Sequence, residues 1–181
     1  MRDNTDRKWK SRLSALKPVV DLHRRLRQEL DSGLAIVGAA YTEFYMTQAM
    51  YWFLRSIAVG SRSQRASSTA AKALLLELGF DRVSRLGLAL GFLEQQEYEE
   101  VDLLRQIRNC FAHRPEIELL EDLDEPLQVR LRAVDSAAYA VADPKQAGMR
   151  EELEGLVVKL CLRLEVQCRV SVKLASAIAS S

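Results

Sequence analysis

The segment at residues 31–58 constrains the fold most, because a helix drawn through it has apolar side chains on nearly every side. Such a helix is stable in water only when other helices cover it. It opens with small residues, among them Gly33, Gly38 and Ala40, which allow a neighbouring helix to approach closely, and then becomes rich in aromatic residues. We therefore predict that this segment is the central helix of a bundle.

The composition of the rest of the chain also favours helices. The 181 residues include only 8 Gly and 4 Pro, whereas Ala, Leu, Arg and Glu are plentiful, and this mixture favours helix over sheet. No stretch of strand length alternates apolar and polar residues, and no repeat is present. The sequence predicts an all-α helical bundle that forms a single domain at residues 17–181. Residues 1–16 are predicted to be a basic N-terminal arm or the frayed start of a helix.

The helix boundaries are predicted from residues that start or stop helices. Pro18, Asp81 and Pro144 suit first turns, whereas Gly79 and Gly91 suit helix ends. A serine-rich basic loop is predicted at residues 60–68. The predicted helices cover residues 18–30, 31–58, 68–79, 81–91, 93–113, about 127–133 and 144–177.

The cysteines and histidines form no recognisable metal-binding pattern. Cys110, Cys161 and Cys168 are odd in number and include no CxxC pair, and His23 lies far from His113 in the sequence. We therefore expect no metal, no other cofactor and no disulfide framework. The spacing of Cys161 and Cys168 predicts two small core residues on one helix face.

The chain contains no segment typical of export or of membrane insertion. Its first residues, MRDNTDRKWKSR, are charged throughout and lack the apolar region of a signal peptide. The longest apolar stretch, at residues 34–59, is interrupted by Glu43, Gln48 and Arg55, which a membrane span rarely tolerates. We expect a cytoplasmic protein that has no membrane partner.

The string LLRQIRNCFAHRPE at residues 103–116 contains the strongest functional candidates. On a helix with about 100° per residue, Leu104, Ile107 and Phe111 share one side. The sequence therefore predicts that this side faces the core.

The polar residues of the same helix take their predicted positions from that core side. Arg108 lies at its edge and is predicted to be partly buried, whereas His113 lies roughly opposite and is predicted to be exposed. Pro115 disfavours helical geometry at the residue before it, so we expect the helix to end close to His113.

The structural interpretation of Arg108 is an ion pair with Glu43. A carboxylate on the central helix is costly to bury unless it is paired, and an arginine at the edge of the core has the same need. We predict that Glu43 and Arg108 satisfy each other's charge. In this interpretation His113 only caps the end of the helix, and no residue is expected to be catalytic.

The same residues also support a catalytic interpretation. The order Arg-Asn-x3-His resembles the ribonuclease motif of HEPN domains, which are small helical bundles that dimerise. The resemblance implies a metal-free site for RNA cleavage, composed of the Arg and the His of two subunits. In such a site Arg108 stabilises the phosphate, Asn109 orients it and His113 transfers protons near neutral pH.

Three longer blocks resemble the mannitol operon repressor family (MtlR). They are LDSGLAIVGAAYTE at residues 30–43, SRLGLALGFLEQQEYEEVDLLRQIRNCFAH at residues 84–113 and DPKQAGMREELEGLVVKL at residues 143–160. The resemblance implies an all-helical bacterial protein that represses mannitol uptake genes without a recognised DNA-binding motif. The chain departs from the family at Ser32, where an Arg is usual, and in the loop GSRSQRASS, where Gly and Pro are common.

Direct DNA binding has weak support in the sequence. The formal net charge is +1, which creates no strong basic field. The best helix-turn-helix candidate, at residues 82–104, places acidic residues on its recognition helix, where they would oppose binding to phosphates. The candidate nucleic-acid contacts are five arginines, Arg24, Arg25, Arg27, Arg62 and Arg65.

Three functions are compatible with these patterns. The first is a transcriptional regulator of the mannitol-repressor type, which forms a homodimer and acts through other regulatory proteins with at most weak DNA contact. The second is a HEPN-type endoribonuclease that cleaves RNA. The third is a non-catalytic scaffold module. The sequence favours the first of these.

Overall fold

The computed structural model describes residues 21–57, 64–134 and 148–179. These residues contain helices and turns but no β-strand, and their buried side chains form one core. The prediction of an all-α, single-domain helical bundle is confirmed. The predicted arm at residues 1–16 lies outside the described residues.

The described residues form six helices and one 3₁₀ turn. The helices are residues 21–26 (α1), Asp31–Ile57 (α2), Gln64–Ala89 (α3), Gln95–His113 (α4), Glu125–Arg132 (α5) and Met149–Ala179 (α6), and the 3₁₀ turn is Leu120–Asp122.

None of the helices in this described part of the chain combines the length and the apolar character needed to cross a membrane.

Helix α2 packs against α3, α4 and α6, and it runs parallel to α6. Gly38 faces Val157 so closely that a Cβ atom on Gly38 would lie 2.7 Å from Val157 Cγ2. Further along both helices, Thr42 Oγ1 lies 3.7 Å from Cys161 Sγ. Because the second contact lies further along both helices, the two run in the same direction. The predicted central position of this helix is confirmed, and Gly38 permits its close approach to α6.

Helix α4 runs antiparallel to α6, and two ion pairs join them. Lys159 Nζ donates to Glu100 Oε1 at 2.7 Å, and Arg163 pairs with Glu97. Both carboxylates are buried. Glu97, the earlier residue on α4, pairs with Arg163, the later residue on α6, so the two helices run in opposite directions. Since α2 and α6 are parallel, α4 is also antiparallel to α2.

The pairing of Glu100 gives a testable prediction about stability. Replacing Glu100 by Gln leaves the Lys159 ammonium group without its carboxylate, and we expect the free energy of unfolding to fall by about 2 kcal/mol. Urea denaturation followed by circular dichroism measures this change. Glu99→Gln is the matched control, because Glu99 is exposed on the same helix, and a change within about 0.5 kcal/mol is expected there. Equal losses in both variants would contradict the assigned role of Glu100.

Arg150 of α6 forms several hydrogen bonds with the end of α1, the turn after it and the start of α2. Arg150 donates to the Asp31 carboxylate at 2.6 Å and to the carbonyl oxygens of Leu26 and Glu29 at 3.2 and 2.6 Å. The other Asp31 oxygen accepts from the backbone N–H of Leu120 at 3.1 Å. Helix α1 ends at residue 26, so its predicted extension to residue 30 is wrong. The Leu26 carbonyl oxygen also accepts the backbone N–H of Glu29 at 3.2 Å, so a turn follows α1 where helix was predicted.

The starts of α3 and α6 also differ from the predicted ones. Helix α3 begins at Gln64 and includes Arg65, so the predicted loop at residues 60–68 is wrong in its second half. Gly79, with φ 62° and ψ 169°, interrupts α3 as predicted for a helix-ending glycine. Helix α6 begins at Met149, where the Glu151 carboxylate accepts the backbone N–H of Gly148 at 3.0 Å, and the predicted start at Pro144 lies outside the described residues. The predicted positions of α5 and of the end of α4 are confirmed.

The two cysteines of α6 differ in their environment. Cys161 is completely buried, which confirms its predicted place in the core, whereas Cys168 is half-buried against it. Burial raises the pKa of the Cys161 thiol to about 12.

The buried thiol of Cys161 is expected to be unreactive in the native protein. Only the thiolate attacks alkylating reagents, so a pKa of about 12 makes modification at pH 8 slower than that of an ordinary thiol by roughly a thousandfold. Mass spectrometry after brief iodoacetamide treatment, with and without denaturant, measures this difference. Cys110, which is half-buried on α4, is the internal comparison. Labelling of Cys161 as fast as that of Cys110 in the native protein would contradict its burial.

Candidate functional site

A groove of about 290 Å³ lies between α2, α3 and the second half of α4. Its apolar walls come mainly from α2, and its polar rim comes from α2, α3 and α4. We call it the α2–α4 groove. Its lining residues are Ile36, Ala39, Ala40, Glu43, Phe80, Asp81, Arg105, Arg108 and Asn109.

The orientation of α4 explains why it presents arginines to this groove. Leu104, Ile107 and Phe111 are buried in the core, as predicted from their spacing. The positions beside them on the helix wheel, Arg105 and Arg108, therefore lie on the flank that faces the groove. The apolar spacing of α4 thus positions the polar residues of the site.

Arg105 is held by carboxylates inside the protein. Its Nη2 atom donates to Asp102 Oδ1 at 2.6 Å, and its Nε lies 3.6 Å from Asp81 Oδ1. Asp81 also pairs with Arg85 at 3.2 Å. The charge of Arg105 is therefore neutralised locally, and this side chain joins the second part of α3 to α4.

The ion pair predicted between Glu43 and Arg108 is not formed. Arg108 is exposed instead of partly buried, and its Nη1 atom donates to Asn109 Oδ1 at 3.0 Å. Among the described residues, neither Arg108 nor Glu43 forms an ion pair. Both side chains nevertheless line the α2–α4 groove, so the two charges share a cavity without meeting.

The direction of the helices explains why this prediction fails. Glu100 on α4 meets Lys159, and α6 is in register with the middle of α2, where Thr42 meets Cys161. Glu100 is therefore near the level of Ala40, and Arg108, eight residues further along the antiparallel α4, is near the level of Ser32, eleven residues before Glu43. At about 1.5 Å per residue, the two backbones differ in level by roughly 16 Å, which the side chains do not close.

His113 lies apart from the other two residues of the predicted catalytic motif. It is exposed, as predicted, and it is the last residue of α4. The groove includes Arg108 and Asn109 but not His113. Five residues correspond to roughly 140° around a helix, so Arg108 and His113 point to different sides of α4. One copy of the chain does not bring the three residues together.

The arginines in α1 and in the turn after it contact other groups of the protein. Arg27 Nε lies 3.1 Å from the buried Glu154 carboxylate, which also contacts His23. Arg24 lies 3.4 Å from Asp21, and Arg25 donates to the Tyr41 hydroxyl at 3.4 Å. Of the other two candidates, Arg65 lies in the first turn of α3, and Arg62 lies outside the described residues.

The sequence analysis missed the structural role of Glu97 and Glu100. Both were interpreted only as acidic groups that oppose DNA binding, whereas both are buried and paired with α6. Their spacing of three residues, matched by Lys159 and Arg163 four residues apart on α6, was the available signal. Facing helices carry complementary charges at such intervals.

No group of three or more His, Cys, Asp or Glu side chains that could hold a metal ion occurs in the described parts of the chain. Comparison of the chain with protein-family models, with curated proteins and with solved structures finds no match. The proposals below therefore rest on the residues of this chain and on their geometry.

Proposed function

We propose that this protein is a bacterial, cytoplasmic transcriptional regulator of the mannitol-repressor type that acts by binding other proteins. One contrast on its surface carries the proposal. Three of the five candidate arginines, Arg24, Arg25 and Arg27, contact groups of the same chain, whereas α6 exposes a row of apolar side chains. Such a surface suits a protein partner better than a phosphate backbone.

The ion pairs of the arginines in and just after α1 favour a protein partner over nucleic acid. Binding to nucleic acid gains most of its strength when free cationic side chains displace counterions from phosphates. Arg27 is paired with Glu154 and Arg24 with Asp21, so binding a phosphate would first require these contacts to be given up. Arg25, which has a hydroxyl partner, is the best remaining candidate among the three. Direct reading of an operator is therefore less favoured than contact with a protein.

The apolar row on α6 consists of Val166, Val170 and Leu174, with exposed fractions of 55%, 51% and 52%. The spacing of four residues places all three on one face of the helix. We call them the α6 stripe. Contact with a partner would remove this apolar surface from water, which is worth about 25 cal/mol for each Å² buried.

A reporter experiment tests this proposal. The full chain is expressed in bacteria that lack their own mannitol repressor and carry a reporter behind a mannitol operon promoter. We expect repression by the wild-type chain and by the Arg24→Ala, Arg25→Ala double variant, and its loss in Val170→Asp. Lys173→Asp, an exposed position of the same helix, is the matched control and is expected to repress. No repression by the wild-type chain, or repression that depends on the arginines but not on Val170, contradicts the proposal.

A second candidate function is metal-independent RNA cleavage of the HEPN type. The observation that favours it is the exposure of Arg108 and His113, together with the Arg108–Asn109 hydrogen bond of 3.0 Å. Both groups are accessible to a phosphate. Because His113 lies outside the groove, this function requires a second subunit.

Cleavage assays separate this candidate from the first. Purified protein is incubated with RNA in the presence of a chelator, alongside His113→Ala and Arg114→Ala. If the chain is a ribonuclease, the rate in His113→Ala is expected to fall by roughly a hundredfold or more, as for other general acids and bases. Arg114 pairs with Asp124 at 2.8 Å and serves as a neighbouring control. Absence of cleavage by the wild-type protein excludes this candidate.

A further inference from the structure

The lining of the α2–α4 groove includes one cation and one anion that form no ion pair. In the described part of the chain, Arg108 has only the Asn109 amide oxygen as a hydrogen-bond acceptor, at 3.0 Å, and Glu43 forms no ion pair. The other two charged residues of the lining, Arg105 and Asp81, pair with each other at 3.6 Å. The charges that the groove leaves unpaired therefore sum to zero.

The two unpaired charges stand at opposite ends of the groove. The backbone of Arg108 is near the level of Ser32, well before Glu43 along α2. Side chains lean towards the N-terminus of their own helix. Because α4 is antiparallel to α2, the Arg108 and Glu43 side chains lean towards each other. The part of α2 between them contributes only apolar side chains to the lining, which are those of Ile36, Ala39 and Ala40.

From this arrangement we infer that the α2–α4 groove binds a small dipolar molecule, with a carboxylate at one end, an ammonium group at the other and a short apolar chain between them. Arg108 binds the carboxylate, and Glu43 binds the ammonium group. The apolar chain lies against Ala39 and Ala40. Helix α6 contributes no residue to the groove lining, so this site is separate from the α6 stripe and does not depend on the function proposed above.

The Arg108 end suits a carboxylate. A guanidinium group has five N–H donors in a fixed fork, and the bond to Asn109 uses one of them and orients the group. The remaining donors can hold a carboxylate through two parallel hydrogen bonds. A phosphate is less suitable, because its second negative charge would be repelled by Glu43 in the same groove.

The Glu43 end suits an ammonium group. Glu43 is half-buried, and a partly desolvated carboxylate is stabilised by a cation that replaces its lost water. An ammonium group is a compact charge with three donors, which a narrow groove can accept. A molecule with only one charge would satisfy one end and leave the other unpaired.

The size of the groove limits the ligand to a small molecule. Its volume is about 290 Å³, at the lower end of the range of roughly 300–1,000 Å³ for ligand pockets. An amino acid fits this space, whereas a nucleotide does not. A series of amino acids with increasing distance between the two charges therefore probes the site.

Protein-observed ¹H–¹⁵N NMR titration of the full-length chain provides the test. The dipolar probes are free glycine, γ-aminobutyrate and ε-aminocaproate, and caproate and hexylamine are probes with one charge each. We expect ε-aminocaproate to bind at least about tenfold more tightly than either single-charge probe, because it forms both charged hydrogen bonds. Free glycine is too short to contact both ends and is expected to bind more weakly. The largest shifts are expected at the amides of Ala39 and Ala40.

Two neutral variants assign the two ends of the probe. Glu43→Gln is expected to weaken ε-aminocaproate binding at least about tenfold and to leave caproate binding unchanged. Arg108→Gln is expected to weaken ε-aminocaproate equally and to leave hexylamine binding unchanged. This selective loss separates a missing contact from a lost fold, which would abolish binding of every probe. Glu118→Gln and Lys173→Gln neutralise exposed charges outside the groove lining and are expected to bind as the wild-type chain does.

Several results would overturn the inference. One is a wild-type chain that binds no member of the series at a probe concentration of roughly 10 mM, which is a weak affinity for a small molecule. Others are caproate or hexylamine binding as tightly as ε-aminocaproate, and Glu43→Gln and Arg108→Gln both keeping the wild-type affinity. Shifts confined to the α6 stripe would also contradict it, since they would place the bound probe outside the groove.

Discussion

Leu156→Ala is expected to lower the free energy of unfolding by about 3–4 kcal/mol. Leu156 is completely buried on α6, which packs along the whole length of the central helix. Truncation removes apolar contacts and leaves a cavity that the rigid helices around it fill only in part. Such a loss is a large fraction of the stability of an ordinary domain, which is about 5–15 kcal/mol. Urea denaturation monitored by circular dichroism measures the change.

The same substitution elsewhere on α6 provides the control. Leu174 is 52% exposed, so Leu174→Ala is expected to change the free energy of unfolding by about 0.5 kcal/mol or less. The two leucines have the same helix propensity, and only their burial differs. If both variants lost equal stability, the orientation assigned to α6 would be wrong.

Gly38→Val is expected to destabilise the protein by about 3 kcal/mol, the upper part of the range for overpacked cores. A Cβ atom on Gly38 would already lie 2.7 Å from Val157 Cγ2 and 3.3 Å from Val157 Cγ1. Two helices must therefore move apart, or Val157 must leave its preferred rotamer. The higher helix propensity of Val offsets only a few tenths of a kcal/mol.

Two further variants test the cause of this loss. Gly33 lies on the same helix, and a Cβ atom there would meet the flexible Glu29 side chain, at 2.5 Å from Oε2. Gly33→Val is expected to be neutral within about 0.5 kcal/mol, since Glu29 can move away. Val157→Ala removes the atoms that collide with residue 38, so adding it to Gly38→Val is expected to restore at least about 1 kcal/mol. Additive losses in the double variant would contradict a collision at this point.

Several carboxylates of the protein are buried and already have a cationic partner. Glu97, Glu100 and Glu154 are buried carboxylates, and each has a cation from another part of the chain as partner. These charges therefore hold helices together and are not available to a ligand. Arg108 and Glu43 differ from them, because neither forms an ion pair within the described part of the chain.

Periodicity along the sequence was sufficient to predict the fold class. Apolar residues all round α2 required a central position, and the apolar spacing of α4 oriented Leu104, Ile107 and Phe111 towards the core. Local backbone chemistry was sufficient for several helix boundaries. Pro115, for example, disfavours helical geometry at Arg114, and α4 ends at His113. The core-facing side of a helix and the position of its end depend on residues close together in the sequence, so both can be predicted from the sequence.

Local patterns were insufficient where a distant group decides the outcome. Arg150 binds the carbonyl oxygens of Leu26 and Glu29 in the turn that follows α1. No pattern near residue 26 indicates a partner that lies on α6. The ends of helices are sensitive to such contacts, since their last carbonyl groups have no partner within the helix.

The sequence by itself therefore determined an all-α bundle around α2, the core side of α4 and the exposure of His113. The tertiary structure alone decided which residues of different helices stand at the same level. The helical wheel gives the direction of a side chain around its axis, but the position along that axis depends on how the helices pack. For this reason Arg108 and Glu43 face one groove, as their directions suggested, and yet remain about three turns apart.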